Sequence, residues 1–101
     1  MTAFRCRDTY LVLDAIDSER SRQERLKADG KFAHSCADAG ISNAERFLVL
    51  AEEFGEVGHE LNEAIGEGRI LNMTKLRTEL VQVAAVCVAW CEAIDAGRAF
   101  K

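Results

Sequence analysis

Residues 80–91 read Leu-Val-Gln-Val-Ala-Ala-Val-Cys-Val-Ala-Trp-Cys, and no other stretch restricts the possible folds so tightly. Twelve residues with one polar side chain are too many for an ordinary strand, although the frequent valines keep a buried strand in view as a minor alternative. Read as a helix, the segment is apolar nearly all round. Such a helix must be covered on every face. It is too short to span a bilayer, and it carries Gln82. The chain has 101 residues, which is one domain, residues 1–101, and a small one. With 49% hydrophobic residues it holds more apolar surface than a small monomer easily hides. Cover from a second subunit is expected.

The remaining pattern is helical too. The chain has no proline, and strand-like alternation is absent. A first helix is expected over about 8–27, with Leu11, Leu13, Ile16 and Leu26 as its apolar positions and a strongly charged second half. Residues 28–41, interrupted by Gly30 and Gly40, read as a loop. Ser42-Asn43-Ala44-Glu45 is a capping-box sequence, in which serine and glutamate each satisfy the other's backbone N–H. Phe47, Leu50, Phe54, Val57, Leu61 and Ala64 then recur at three- and four-residue steps until Gly66 and Gly68. A third helix is expected from Asn72 or Thr74 to about Asp95, before Gly97. The fold class is therefore all-α: an antiparallel bundle of three main helices per chain, completed by oligomerisation.

The net charge of −4 does not favour nucleic acid or an anionic membrane as partner. Residues 1–13 contain Arg5, Arg7 and Asp8 and no adequate apolar core for a signal peptide, so a cytoplasmic protein is expected. Cys6, Cys36, Cys87 and Cys91 are then free thiols by default. A zinc site from His34, Cys36, Cys87 and Cys91 would need a His-x-Cys and Cys-x3-Cys spacing unlike that of zinc ribbons.

Carboxylates carry the chemical signal. Glu53 and Glu56 project from one face of the second helix, one turn apart, where like charges repel. The simplest account is a solvated acidic face. Glu79 changes the balance: 22 residues separate it from Glu56, enough for a bend and an antiparallel return that sets it beside Glu53 and Glu56, with Gln82 one turn further on. Oxygen donors suit a hard ion such as Mg2+ or Mn2+. Without a metal, a buried Glu79 would need an arginine such as Arg20, Arg22 or Arg25.

Glu52-Glu53-Phe54-Gly55-Glu56 followed by Glu79-Leu80-Val81-Gln82 resembles the signature of the MazG-like, all-α nucleoside triphosphate pyrophosphohydrolases, over roughly residues 18–96. Their pattern is Glu-Glu-x-x-Glu, a spacer, then Glu-x-x-Asp. Gln82 stands where the family has aspartate. The literal Glu-x-x-Asp of Glu92 and Asp95 falls about 140° round the helix from Glu79 and is rejected. The resemblance implies Mg2+-dependent hydrolysis, Mn2+ being a possible substitute, of a (deoxy)nucleoside triphosphate to the monophosphate and pyrophosphate. It implies Glu53, Glu56 and Glu79 as metal ligands, with Gln82 offering a neutral oxygen. Glu52 would orient a ligand or the attacking water. Arg20, Arg22, Lys27, Lys31 and Phe32 are candidate substrate contacts, the last as a ring for a base. The expected partners are the nucleotide and a second copy, as a dimer or tetramer. The alternative is a non-catalytic helical homo-oligomer that binds a nucleotide or a protein and has lost turnover with the aspartate.

Overall fold

A computed structural model describes residues 6–101; Arg5 and the rest of the leader reading at 1–5 lie outside the described residues. Three helices follow one another: α1 (Arg7–Ala28), α2 (Asn43–Gly66) and α3 (Met73–Asp95). No strand occurs among the described residues, and no helix there is long and apolar enough to cross a membrane.

Local chemistry sets the helix ends. The capping box at α2 is formed: the Glu45 N–H donates to Ser42 Oγ at 3.1 Å, and the Ser42 N–H donates to Glu45 Oε1 at 3.2 Å. Asn72 caps α3, its Oδ1 accepting from the Lys75 N–H at 3.0 Å. All three helices end in the same paired hydrogen bonds. After α1, the Gly30 N–H donates to the Lys27 carbonyl and the Lys31 N–H to that of Leu26. Gly30 (φ +77°) and Gly68 (φ +63°) hold the left-handed turns this Schellman arrangement needs, which a Cβ would penalise.

α3 packs against both α1 and α2, which do not pack on each other. The connection after α2 folds α3 back antiparallel, because Lys75 meets Glu60 while Trp90 reaches Asn43 at the far end. α1 is fastened to α3 by Arg20, whose Nε and Nη2 donate to the two carboxylate oxygens of Glu92 at 3.1 and 2.9 Å. A paired guanidinium–carboxylate fork fixes geometry as well as charge.

The core is small. Val86 and Ala89 of α3 meet Cys36 and Ala37 of the 29–42 loop, with Leu50 of α2 against them. Arg46, fully buried, holds that loop: it donates to the carbonyls of Cys36 (2.8 Å), Ile41 (2.9 Å) and Asp38. Arg98 adds a bond to the Ala37 carbonyl at 2.6 Å. The chain end turns back on the start of α2, where Asn43 donates to the carbonyls of Ala99 and Lys101.

Two apolar expectations need correction. The stripe on α2 divides. Leu50, Val57 and Ala64 turn towards α3, whereas Phe47, Phe54 and Leu61 are exposed. A stripe built on mixed three- and four-residue steps is wider than the contact one neighbouring helix makes. On α1, Leu11 and Leu13 are exposed, while Ile16 and Leu26 are half-buried. On α3, Ala85, Val86, Ala89 and Ala93 are buried while Leu80, Cys87, Val88 and Cys91 face outward. The three helices of one chain thus cover one side of the apolar run.

Candidate functional site

α1 and α2 stand on either side of α3 and leave a groove between them. It holds a cavity of about 540 Å³. Gln23 of α1 contributes one wall, and Glu45, Val49, Glu52 and Glu53 of α2 contribute the other. Val86 of α3 forms part of the floor, and the loop from Lys31 to Cys36 closes one side. The lining is mixed: apolar Phe32, Ala33, Ile41, Val49 and Val86 alternate with Lys31, His34, Glu45 and the two glutamates. The Arg46 clamp is what keeps the Cys36–Ile41 side of this cavity in place.

Glu53 is the chemically unusual group. It is half-buried, and no hydrogen bond or ion pair reaches it among the described residues. Burial pushes its carboxyl above the usual glutamate range, and the negative charges of Glu79, Glu52, Glu56 and Glu19 push it the same way. Glu79 is also half-buried, across the α2–α3 contact, with Gln82 half-buried one turn on. Glu52 and Glu56 are exposed. None of these five side chains has a hydrogen-bond or ion-pair partner among the described residues.

Glu52 and Glu53 line the cavity, Glu56 and Glu79 are near enough to act on the Glu53 charge, and the set does not close into a cage. Among the described residues, no three His, Cys, Asp or Glu side chains are drawn together closely enough to hold a metal ion. Mutual repulsion is a sufficient physical reason for carboxylates to stand apart when nothing positive lies between them. In kind, the donor set fits a hard cation: only oxygen atoms, excess negative charge, and free lone pairs.

The basic candidates divide sharply. Lys31 and Phe32 line the cavity, and the Lys31 ammonium has no hydrogen-bond or ion-pair partner among the described residues. Arg20 is buried and committed to Glu92, Glu24 and Gln23. Lys27 is held by Asp38 at 2.6 Å. Arg22 is paired with Glu19 through Nε (2.8 Å) and Nη2 (3.0 Å), although the Glu53 charge also acts on it. Among the described residues, no arginine pairs with Glu79. Glu92, set aside as a metal ligand, is the partner of Arg20, which holds its carboxyl below the usual range. His34 and Cys36 border the cavity while Cys87 and Cys91 are on the outside of α3, so the four do not share a site.

Several contributors have no motif that would reveal them: Gln23, His34 and Glu45 in the cavity wall, and Arg46 behind it. Glu45 carried a signal, but for capping. Comparison of the chain with protein-family models, with curated proteins and with solved structures finds no match. What can be said of its chemistry rests on these residues.

Proposed function

We propose that this chain is a metal-dependent nucleotide pyrophosphohydrolase, cleaving a (d)NTP to the (d)NMP and pyrophosphate. The observation that carries the reading is Glu53: half-buried, beside three other glutamates of α2 and α3, and without an ion-pair partner among the described residues. A fold tolerates such a group when something else supplies the positive charge. Glu53, Glu56 and Glu79 would hold Mg2+ or Mn2+, with Gln82 giving a neutral oxygen. The ion, when bound, would neutralise the triphosphate oxygens and the departing pyrophosphate.

The protein's own side chains would do the rest. Glu52, exposed at the cavity edge, would accept a hydrogen bond from the attacking water and orient it. Lys31 would meet phosphate oxygens. Phe32 and the apolar lining beside it would receive the base, and a cavity of about 540 Å³ is of the size that takes a small ligand. Pyrophosphate release, measured over a panel of nucleotides with Mg2+ or Mn2+ and then with EDTA, tests this directly. Release of orthophosphate instead, or full activity in Glu53→Ala, would overturn it.

A second reading has its own support. The carboxylates are not gathered as a threefold ligand set, and the family's aspartate is replaced by Gln82. Both features suit a non-catalytic relative that binds a nucleotide in the cavity or a protein partner. Nucleotide binding in calorimetry with no product formed would select it.

A further inference from the structure

We infer that the cleft between α1 and α3 that carries Arg22, Arg25 and Arg77 binds an oligophosphate anion, with inorganic pyrophosphate as its simplest form. The cleft has a volume of about 370 Å³, and none of its lining residues lines the Glu53 cavity. On α1, Ala15, Ser18, Arg22 and Arg25 follow at steps of three, four and three, so a single stripe of the helix forms one wall. Arg77, Thr78 and Val81 of α3 form the other. Ala15 and Val81 are half-buried, while Ser18, Thr78 and the three arginines are exposed. The apolar groups therefore lie deep and the cations at the mouth.

Little negative charge opposes those cations. Among the described residues, Glu19 is the one carboxylate in the lining. It is already committed, accepting from Arg22 Nε at 2.8 Å, Arg22 Nη2 at 3.0 Å and Gln23 Nε2 at 3.5 Å. That fork fixes the Arg22 guanidinium and leaves its Nη1 without a partner among the described residues. The side chains of Arg25 and Arg77 have no hydrogen-bond or ion-pair partner there, and neither does the Ser18 hydroxyl. In a chain of net charge −4, three guanidinium groups in one cleft run against the average. Left alone they repel one another; a bound anion turns that repulsion into attraction.

The spacing of the charge selects the ligand class. Guanidinium forks match phosphate and carboxylate oxygens alike. In an extended acidic peptide, however, side chains on one face stand about 7 Å apart with one charge each. An oligophosphate gathers several charges on directly linked phosphate groups, and so can meet all three arginines of a small cleft together. With Glu19 taken, the cleft has no free carboxylate to hold a metal ion, so binding here should need no Mg2+.

Calorimetric titration of the wild type with sodium pyrophosphate in EDTA should show a submillimolar dissociation constant, tighter than for orthophosphate. The double variant Arg25→Gln, Arg77→Gln, which changes two exposed and unpaired side chains, should weaken it by about tenfold or more. Lys31→Gln, in the other cavity, should leave it unchanged. Amide NMR shifts on adding pyrophosphate to the wild type should centre on residues 15–25 and 77–81, so the placement is decided even where the double variant fails to fold. Absence of submillimolar binding overturns the inference. So does affinity that survives the double variant or is lost in Lys31→Gln, and so does equal or tighter binding of orthophosphate or of a tetraglutamate peptide. The titration is free of metal and uses none of the residues assigned to the Glu53 cavity, so this inference and the catalytic reading fail separately.

Discussion

Glu53 and Glu60 lie two turns apart on the same helix and near the same face, yet the protein treats them in opposite ways. Glu60 is almost wholly buried and is met by Lys75 Nζ at 3.0 Å and Arg69 Nη1 at 3.3 Å. The Lys75 bond, with that of Arg69, holds its carboxyl below the usual range against the effect of burial. Glu53 is less buried, has no hydrogen-bond or ion-pair partner among the described residues, and has its carboxyl raised by burial and by its acidic neighbours. A run of glutamates in a sequence is thus not one kind of object. At the turn after α2 the charge closes the fold. Two turns earlier it is left open, and an open charge is the one available for chemistry.

The largest way to break this contrast is through activity. Glu53→Gln should lower pyrophosphate release by about a hundredfold or more, roughly 2.7 kcal/mol of barrier, with the helical circular dichroism retained. Glu60→Gln should leave the rate per folded molecule near that of the wild type and should lower the melting temperature. A loss of rate at Glu60 as deep as at Glu53, in folded protein, would erase the distinction.

Next in size is the loop clamp. Arg46→Met leaves buried carbonyls of Cys36, Asp38 and Ile41 without their donor and should destabilise the protein by about 3 kcal/mol. Urea melts measure it. A neutral result would mean that the cavity wall does not depend on this side chain.

The pH dependence should differ in sign. The lowered carboxyls of Glu60 and Glu92 contribute stability above the usual glutamate range, and that stability is lost as pH falls through their depressed values. Glu53, raised, is a penalty above its folded value. The penalty lifts as pH falls from that raised value through the usual range. Melting curves of wild type, Glu53→Gln and Glu60→Gln across this window should therefore separate the two. The Glu53 difference should fade first on acidification, and the Glu60 difference only at lower pH.

The smallest effect is also a stability change. In metal-free protein at neutral pH, Glu53→Gln should be the more stable form by about 0.5 kcal/mol, the scale of one relieved like-charge pair. Saturating Mn2+ should reverse the order, because only the glutamate form gains from the ion. Equal melting temperatures in both conditions would show that the carboxylates do not feel one another.

How much of this was readable follows from how local each feature is. Helix ends were readable because Ser42, Glu45 and the glycines at 30, 68 and 97 act on backbone groups within a few residues. The return of α3 along α2 followed from the short connection, and with it the nearness of Glu79 to Glu53. The division of the α2 stripe was not readable: the pattern marks apolar positions, not which of them a neighbour reaches. Arg20 and Lys27 looked like free cations, since their partners, Glu92 and Asp38, lie in distant or loop positions. Arg46 gave no signal at all, because its acceptors are backbone carbonyls, which every sequence has. The gathering of Glu53, Glu56 and Glu79 on one ion was expected from spacing, and spacing sets direction but not closure.

The order of packing also bears on how the chain comes to this structure. α1 rests on α3, with the whole of α2 intervening in the sequence. The α2–α3 hairpin can form from near neighbours, so its contacts are entropically inexpensive to close. Docking of α1 has to wait for that platform, and its anchor, Arg20 on Glu92, spans 72 positions. The first helix should therefore be the last part to join and the first to detach. Amide exchange should show it as a separate cooperative unit, opening at lower free energy than the hairpin. Because Gln23 leaves with it, the groove would lose its α1 wall while α2, α3 and the loop that Arg46 holds still stand.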